Sequence, residues 1–285
     1  MNASYWIFAG ERSMSMKLSL STFAWFNHTI EKAIKMTAEL GYEGIEIEGN
    51  RPHLLPTDYT DKDLKRIKQL LKDNNLRCPC ITAFDGTHFW CLSTPAKKVY
   101  RDTIQHVKDC VKMADILEAK VVESVTGKPL FVEDDRVEAW NRVRDAYLEI
   151  TDWIDKKGYD VTIGLENEDA NCVETIDDTL RMLKDVNHPR LRALLDLGHA
   201  NMESYMTVSD AIRKLAPWIC HIHADDNDGY VHRHLPLGEG KINWEMTVKT
   251  LKEINYQGWV SVEMEMVKDP ISASYNSLLI LKRYL

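Results

Sequence analysis

Four residues of types that bind divalent cations recur through the second half of the chain. Each ends a short apolar or β-branched run, the pattern of a buried strand. They are Glu166, Asp196, His223 and Glu263. Three carboxylates brought together would repel one another unless a cation neutralised them. Three hard oxygens and one imidazole suit Mn²⁺, Mg²⁺, Co²⁺ or Fe²⁺, and the lack of a thiolate argues against a structural zinc site.

The elements that must position these residues alternate along the chain. Apolar and β-branched runs predict strands at 17–23, 44–48, 77–83, 120–124, 160–166, 191–196, 219–223 and 259–263. Apolar residues spaced about 3.6 apart predict helices at 28–40, 61–73, 95–117, 134–157, 174–184, 207–215, 243–254 and 271–284. Eight strands, each followed by a helix, predict an α/β fold, the closed (β/α)8 TIM barrel. An open doubly wound sheet usually has a Gly-rich first turn, and the sequence contains no GxGxxG motif.

Residues that favour helix ends agree with this scheme. Gly41 and Gly158 follow helical segments and predict C-caps. Thr60 predicts an N-cap, and Thr94 predicts another, with Pro95 at the first helical position. The predicted strands and helices are therefore separated at defined points.

Length, charge and composition exclude several classes of protein. The 285 residues fit one large domain, which we place at 16–285, after an N-terminal extension at 1–15 that we expect to be non-native or disordered. A net charge of −8 opposes binding to nucleic acid or anionic membranes. No run approaches the ~20 apolar residues of a membrane span, and residues 1–15 lack the pattern of a secretory signal. The six cysteines form no CxxC pair, so we expect reduced thiols in a cytoplasmic protein.

Several motifs resemble those of the xylose isomerase-like barrels, and within them of the ketose 3-epimerases acting on tagatose, psicose and fructoselysine. The motifs are GYEGIEI at 41–47, LEN at 165–167, LDLGH at 195–199, HIH at 221–223 with Asp226, LGEG at 237–240 and GWVSVE at 258–263. The stretches at 49–53 and 234–240 are most similar to the fructoselysine 3-epimerase branch. The resemblance covers nearly all of 16–285.

The resemblance implies a role for each of the four residues. Glu166, Asp196, His223 and Glu263 would hold one divalent ion per chain, Mn²⁺ foremost, with Co²⁺, Mg²⁺, Fe²⁺ or Zn²⁺ as alternatives. The two glutamates would also be the catalytic acid/base pair. A ketose C3–H is acidic because the adjacent carbonyl delocalises the carbanion as an enediolate, which a divalent ion stabilises. Epimerisation removes a proton from one face of C3 and returns one to the other, so two opposed carboxylates are expected.

The sequence therefore predicts an isomerase, a metal-dependent ketose 3-epimerase acting on a small sugar or sugar derivative. Six further residues are predicted to bind the substrate: His199, His221, Arg51, His53, Arg233 and His234. In the tagatose 3-epimerase-like relatives the histidine matching His199 contacts substrate oxygens at C1 or C2. The fructoselysine-type enzymes lack it, which leaves the exact substrate open. We expect a homo-oligomer, a dimer or tetramer, with no nucleic-acid or membrane partner.

Simpler roles compete with these assignments. His199 in its loop is also suited to capping a helix, His221 to bonding a neighbour in the core, and Arg51 to facing solvent. Glu46 and Glu48 share one side of the second strand, which is either the lumen or the helix layer. For Glu46 an inward structural role is predicted.

Three other functions are kept as alternatives. An aldose–ketose isomerase would move a proton between C1 and C2 through the same kind of enediolate. A barrel endonuclease with three zinc ions needs histidines after strands 2 and 3, but strand 3 ends at Thr82-Ala83, and His53 and His88 lie further out in loops. The acidic charge also argues against a nuclease. A non-catalytic sugar-binding barrel would not need to retain all four ligands.

Overall fold

In the computed structural model, parallel strands alternate with helices and close into a barrel. The structure describes residues 16–83, 90–127, 135–265 and 267–285, so the predicted extension at 1–15 lies outside the described residues. The strands are β1 (Lys17–Ser21), β2 (Gly44–Glu48), β3 (Cys80–Thr82), β4 (Val121–Ser124), β5 (Thr162–Glu166), β6 (Leu191–Asp196), β7 (Ile219–Ala224) and β8 (Trp259–Val262). Each pairs in parallel with the next, and β8 pairs with β1. The predicted (β/α)8 barrel is confirmed.

At least one helix follows each strand in sequence. The helices are α1 (Ile30–Leu40), α2 (Asp61–Asp73), α3 (Lys97–Leu117), α4 (Arg136–Lys157), α5 (Ile176–Val186), α6 (Leu197–Met202), α7 (Val208–Leu215), α8 (Trp244–Glu253) and α9 (Pro270–Tyr284). All eight predicted helices are present, and the short α6 is additional. Gly41 and Gly158 end α1 and α4 with φ of 87° and 74°, in the left-handed region that favours glycine.

One predicted helix cap is wrong. Helix α3 begins at Lys97, and its N-cap position is occupied by Ala96 rather than Thr94. The Thr94 hydroxyl accepts a hydrogen bond from the Ala96 N–H at 3.2 Å, two residues ahead, which makes a local turn instead of a helix cap. The predicted cap at Thr60 is confirmed, and its bonds to Asp63 form a capping box at the start of α2.

The barrel has an apolar exterior, and its lumen holds buried polar residues together with a small, separate apolar cluster. Outward-facing strand residues such as Ile47, Val122 and Ile163 belong to one continuous buried cluster with the helices. Alternate residues face inward, as the period of a strand requires. Glu46 and Glu48 lie on that inward face and are fully buried, so the predicted inward position of Glu46 is confirmed.

Two features of the described ranges concern membrane-spanning helices and cysteines. Within them, no helix combines the length and apolar character needed to cross a membrane. All six cysteines are free thiols, and four of them are buried.

Candidate metal centre and active site

The four predicted metal ligands meet at the carboxyl-terminal rim of the barrel. Glu166 and Asp196 end β5 and β6, His223 is the penultimate residue of β7, and Glu263 directly follows β8. One possible ligand atom from each lies within 4.8 Å of the others, and all four side chains are buried. Parallel strands that are neighbours in a barrel end at the same rim, which is why residues far apart in sequence converge here. We call these four residues the rim cluster.

The contacts within the rim cluster fit a bound cation. His223 Nδ1 lies 2.8 Å from Glu166 Oε1 and 2.9 Å from Glu263 Oε2. Asp196 Oδ1 accepts a hydrogen bond from the His199 N–H at 2.5 Å, but Asp196 Oδ2 is buried without a hydrogen-bond partner. Burial raises the pKa of Glu166 to about 7. A divalent ion would supply the missing partner and offset the carboxylate charge.

A fourth carboxylate, that of Glu46, lies outside the rim cluster and contacts His223 from the barrel interior. Glu46 Oε1 lies 2.8 Å from His223 Nε2 and accepts a hydrogen bond from Thr82 Oγ1 at 2.7 Å. Glu46 Oε2 lies 2.8 Å from His221 Nε2. Burial opposes ionisation, yet attraction to the two histidines keeps the pKa of Glu46 well below its usual range. His223 Nε2 is therefore engaged by a charged carboxylate, and Nδ1 is the nitrogen that faces the other ligands.

A second group of possible ligands lies beside the rim cluster. His199, His232 and His234 each offer a nitrogen within 4.8 Å of the others. His199 is in α6, whose N-cap is Asp196, and the other two lie in the loop between β7 and α8. The sequence predicts substrate binding by His199 and His234 but not by His232. We call these three residues the histidine cluster.

The remaining predicted substrate contacts lie in different settings. His221 is buried beneath the rim cluster and is bonded to Glu46. His53 is buried, with Nε2 3.3 Å from a backbone carbonyl. The Arg51 side chain is 71% exposed and makes two bonds to Asp58, at 2.7 and 2.8 Å. Arg233 is exposed in the loop that carries the histidine cluster. The structure thus brings His199 and His234 to the rim, whereas Arg51 and His53 have other partners.

Asp226 organises the loop between β7 and α8. Its Oδ2 accepts hydrogen bonds from the Gly238 N–H at 2.8 Å and from Trp244 Nε1 at 2.9 Å, and its Oδ1 accepts from the Ile242 N–H at 3.1 Å. A Cβ at Gly240 would lie 2.1 Å from the same Oδ1, so glycine is required at that position. The buried carboxylate therefore fixes the LGEG segment at the rim.

His53 makes the stability of the fold depend on pH. Burial lowers its pKa to about 4, whereas in the unfolded chain the pKa returns to about 6.5. Between these values the unfolded chain binds more protons, so stability falls as the pH falls. Preferential protonation of His53 in the unfolded chain should alone reduce the free energy of unfolding by about 2 kcal/mol as the pH falls from about 6.5 to 4.5.

Urea unfolding of the wild type and of His53→Gln at both pH values measures this effect. The variant should lose about 2 kcal/mol less than the wild type on acidification. A His28→Gln variant is the control, because His28 is only partly buried. Equal losses in wild type and His53→Gln would show that His53 is not the responsible group.

Comparison with known proteins agrees with the motifs and the fold. Residues 34–284 match the family model described as xylose isomerase-like TIM barrel. Fructoselysine 3-epimerase of Shigella flexneri is 26% identical over 252 residues, which cover 87% of this chain and 90% of that protein. D-psicose 3-epimerase of Agrobacterium fabrum is 25% identical over 236 residues, 81% of this chain and 77% of that protein.

Solved structures give the same result. The crystal structure of a D-tagatose 3-epimerase-like protein superposes with a TM-score of 0.81, at 25% identity, over 94% of this chain and 98% of that one. These relatives are named as sugar epimerases, a class of isomerase, or as similar to them. The resemblance inferred from the motifs is confirmed, and this chain belongs to the xylose isomerase-like TIM barrel family.

Proposed function

We propose that this protein is a divalent-metal-dependent ketose 3-epimerase. The observation that carries the proposal is a pair of buried glutamates, Glu166 and Glu263, that both contact one nitrogen of His223. Two carboxylates beside one cation site are what proton removal and return at a carbon next to a carbonyl require. The sugar 3-epimerases among the relatives support the same reaction class.

We assign the metal to the rim cluster. When bound, a divalent ion, with Mn²⁺ as the first choice, polarises the substrate carbonyl and stabilises the negative charge of the enediolate. The chain itself supplies three carboxylates and one imidazole, a donor set dominated by hard oxygens. Each glutamate has two oxygens, so one can hold the ion while the other faces the substrate.

The two glutamates divide the proton transfers at C3 between them. Glu166 comes from β5 and Glu263 follows β8, and β6 and β7 separate these strands on the barrel. The two carboxylates therefore approach the rim from different directions. For one epimer, Glu166 accepts the C3 proton and Glu263 donates a proton to the opposite face. For the other epimer the roles reverse.

Substrate contacts belong to the rim rather than to the barrel interior. Arg233 lies in the loop between β7 and α8, which Asp226 anchors at the rim, and we assign to it a contact with a hydroxyl or a charged group of the sugar. His221 lies in the barrel interior, where it contacts Glu46. We therefore assign it no direct role in binding sugar. The substrate we propose is therefore a ketose, free or substituted, with C2 and C3 at the rim cluster.

A product assay tests the proposed function. The protein loaded with Mn²⁺ is incubated with D-fructose, D-psicose, D-tagatose and fructoselysine, and the products are separated by chromatography. The expected result is a C3 epimer of at least one ketose, lost after treatment with EDTA and restored by Mn²⁺. An aldose as the only product would indicate the aldose–ketose isomerase instead. Full activity after exhaustive removal of metal would contradict the metal requirement.

A further inference from the structure

A cavity of about 680 Å³ lies at the amino-terminal end of the barrel. Its walls come from the segment 76–79 before β3 and from residues near the start of β4, β7 and β8. The rim cluster lies at the other end of the same strands, so the two places are separate. A volume of this size is typical of sites for small molecules, which span about 300–1,000 Å³.

Positive charge is concentrated around this cavity, although the chain as a whole has a net charge of −8. Glu118 is the single acidic side chain among the described lining residues, whereas four are cationic: Lys68, Lys72, Arg77 and Lys120. Glu118 lies 3.0 Å from Lys68 and 3.9 Å from Lys72. Outside the lining, Asp160 pairs with Lys120 at 2.7 Å. The remaining positive charge favours an anionic ligand, and we call this space the basic cavity.

Arg77 is the cation that no acidic residue offsets. It is exposed at the cavity and makes no ion pair within the described ranges. Its backbone is held in place, because the Arg77 N–H donates to the Glu43 carbonyl at 3.1 Å and the Ile45 N–H donates to the Arg77 carbonyl at 2.9 Å. A guanidinium presents N–H donors in a planar fork that matches a phosphate group. Arg77 is therefore suited to bind phosphate.

His221 forms the buried end of the basic cavity and has one unsatisfied nitrogen. The residue is 1% exposed and lines the cavity. Its Nε2 lies 2.8 Å from Glu46 Oε2 and 2.8 Å from Ser261 Oγ, whereas Nδ1 is buried without a hydrogen-bond partner. Because the charged Glu46 carboxylate accepts the Nε2–H, Nδ1 of the neutral ring is left as an acceptor. A hydroxyl group that reached this end of the cavity would satisfy it.

Trp259 adds an aromatic wall to the basic cavity. It is partly buried at the start of β8, and Lys17 Nζ lies 5.5 Å from the centre of its ring. An indole ring offers an apolar face beside these polar groups, which suits a ligand with both C–H and charged groups. A bare inorganic ion would leave this wall and His221 Nδ1 without a partner.

We propose that the basic cavity binds a small organic phosphate that carries hydroxyl groups. The phosphate binds Arg77 and the neighbouring lysines at the exposed opening, and a hydroxyl donates to His221 Nδ1 at the buried end. The carbon skeleton packs along Trp259. This site goes beyond the proposed epimerase activity, since it lies at the other end of the barrel and contains none of the rim-cluster residues.

Equilibrium dialysis of the metal-free full chain with radiolabelled D-glucose 6-phosphate tests the site. Without metal, the carboxylates of the rim cluster repel phosphate, so binding at the rim does not contribute. We expect about one glucose 6-phosphate per chain in the wild type, and binding weakened by about tenfold or more in Arg77→Gln. Lys65→Gln is the matched control and should bind like the wild type. It removes one positive charge from an exposed position of α2 that does not line the cavity.

Two unlabelled competitors test the class of ligand. D-glucose should hardly compete because it lacks the charge, and inorganic phosphate should compete more weakly than glucose 6-phosphate because it cannot also reach His221 and Trp259. Competition by either of them equal to that of glucose 6-phosphate would contradict an organic phosphate as the ligand. Equal weakening in Arg77→Gln and Lys65→Gln would indicate general attraction between charges and reject the site, as would a wild type that binds no glucose 6-phosphate.

A crystal of the wild type soaked with glucose 6-phosphate covers the case of a variant that does not fold. The phosphate should lie within hydrogen-bond distance of Arg77, with a hydroxyl at His221 Nδ1. A ligand found only at the rim cluster, or only at a contact between molecules, would overturn the proposal. None of these measurements uses epimerase activity, so failure of this site and failure of the proposed function are distinguishable.

Discussion

Replacement of Glu166 or Glu263 by Gln is expected to reduce net epimerisation by about 10²–10⁴-fold, the usual contribution of a positioned acid or base. Gln keeps the size of the side chain and one oxygen able to bind a cation, but it cannot accept the C3 proton. Since each epimer uses both glutamates, one as acceptor and one as donor, neither replacement should leave the overall reaction intact. Glu245→Gln, an exposed glutamate in α8, is the matched control and should keep full activity.

Deuterium exchange at C3 separates loss of the base from loss of the metal. With metal occupancy confirmed by elemental analysis, a variant that retains one base should still exchange solvent deuterium into C3 of one epimer. Glu166→Gln and Glu263→Gln should therefore favour opposite epimers in this exchange. Identical behaviour of the two variants would contradict the opposed arrangement. Wild-type turnover in D₂O that leaves no deuterium at C3 would reject proton transfer and favour cleavage of a carbon–carbon bond.

The fold could be predicted closely because its elements repeat and each carries its own periodicity. Strands β2 and β6 and helix α2 have the predicted bounds, Gly44–Glu48, Leu191–Asp196 and Asp61–Asp73. Helix α6 was missed because six residues are less than two turns, too few for an apolar period to appear. A signal did exist, since Asp196 is a residue type that favours N-caps and it caps this helix through the His199 N–H.

Only the part of the candidate site that lies at the ends of strands could be predicted from the sequence. The rim cluster follows from the rule that residues at the ends of parallel strands share one rim. The contact between Glu46 and His223 joins β2 to β7 across the lumen, 177 residues apart in sequence, and depends on how the barrel closes. His232 was missed because it lies in an irregular loop, although its spacing of two from His234 is a weak signal for a shared site.

Replacement of Glu46 is expected to have a large effect on metal binding rather than on proton transfer. The Glu46 carboxylate contacts His223 Nε2 at 2.8 Å and is fully buried. A carboxylate behind a metal-binding histidine orients the ring and raises the basicity of the other nitrogen. Glu46→Gln keeps the shape but removes the charge, so the affinity of the rim cluster for Mn²⁺ should fall by about 10–100-fold.

Glu48 is a matched control for this prediction, because it lies two residues away on the same inward face of β2 and is equally buried. Burial raises the pKa of Glu48 well above its usual range, with repulsion from Glu263 and Glu46 adding to the effect, which favours its neutral form. Glu48→Gln therefore removes less charge than Glu46→Gln and should leave Mn²⁺ affinity nearly unchanged. Calorimetric titration of both variants with MnCl₂ measures the difference. Equal weakening in the two variants would mean that general disturbance of the lumen, rather than the contact of Glu46 with His223, controls metal binding.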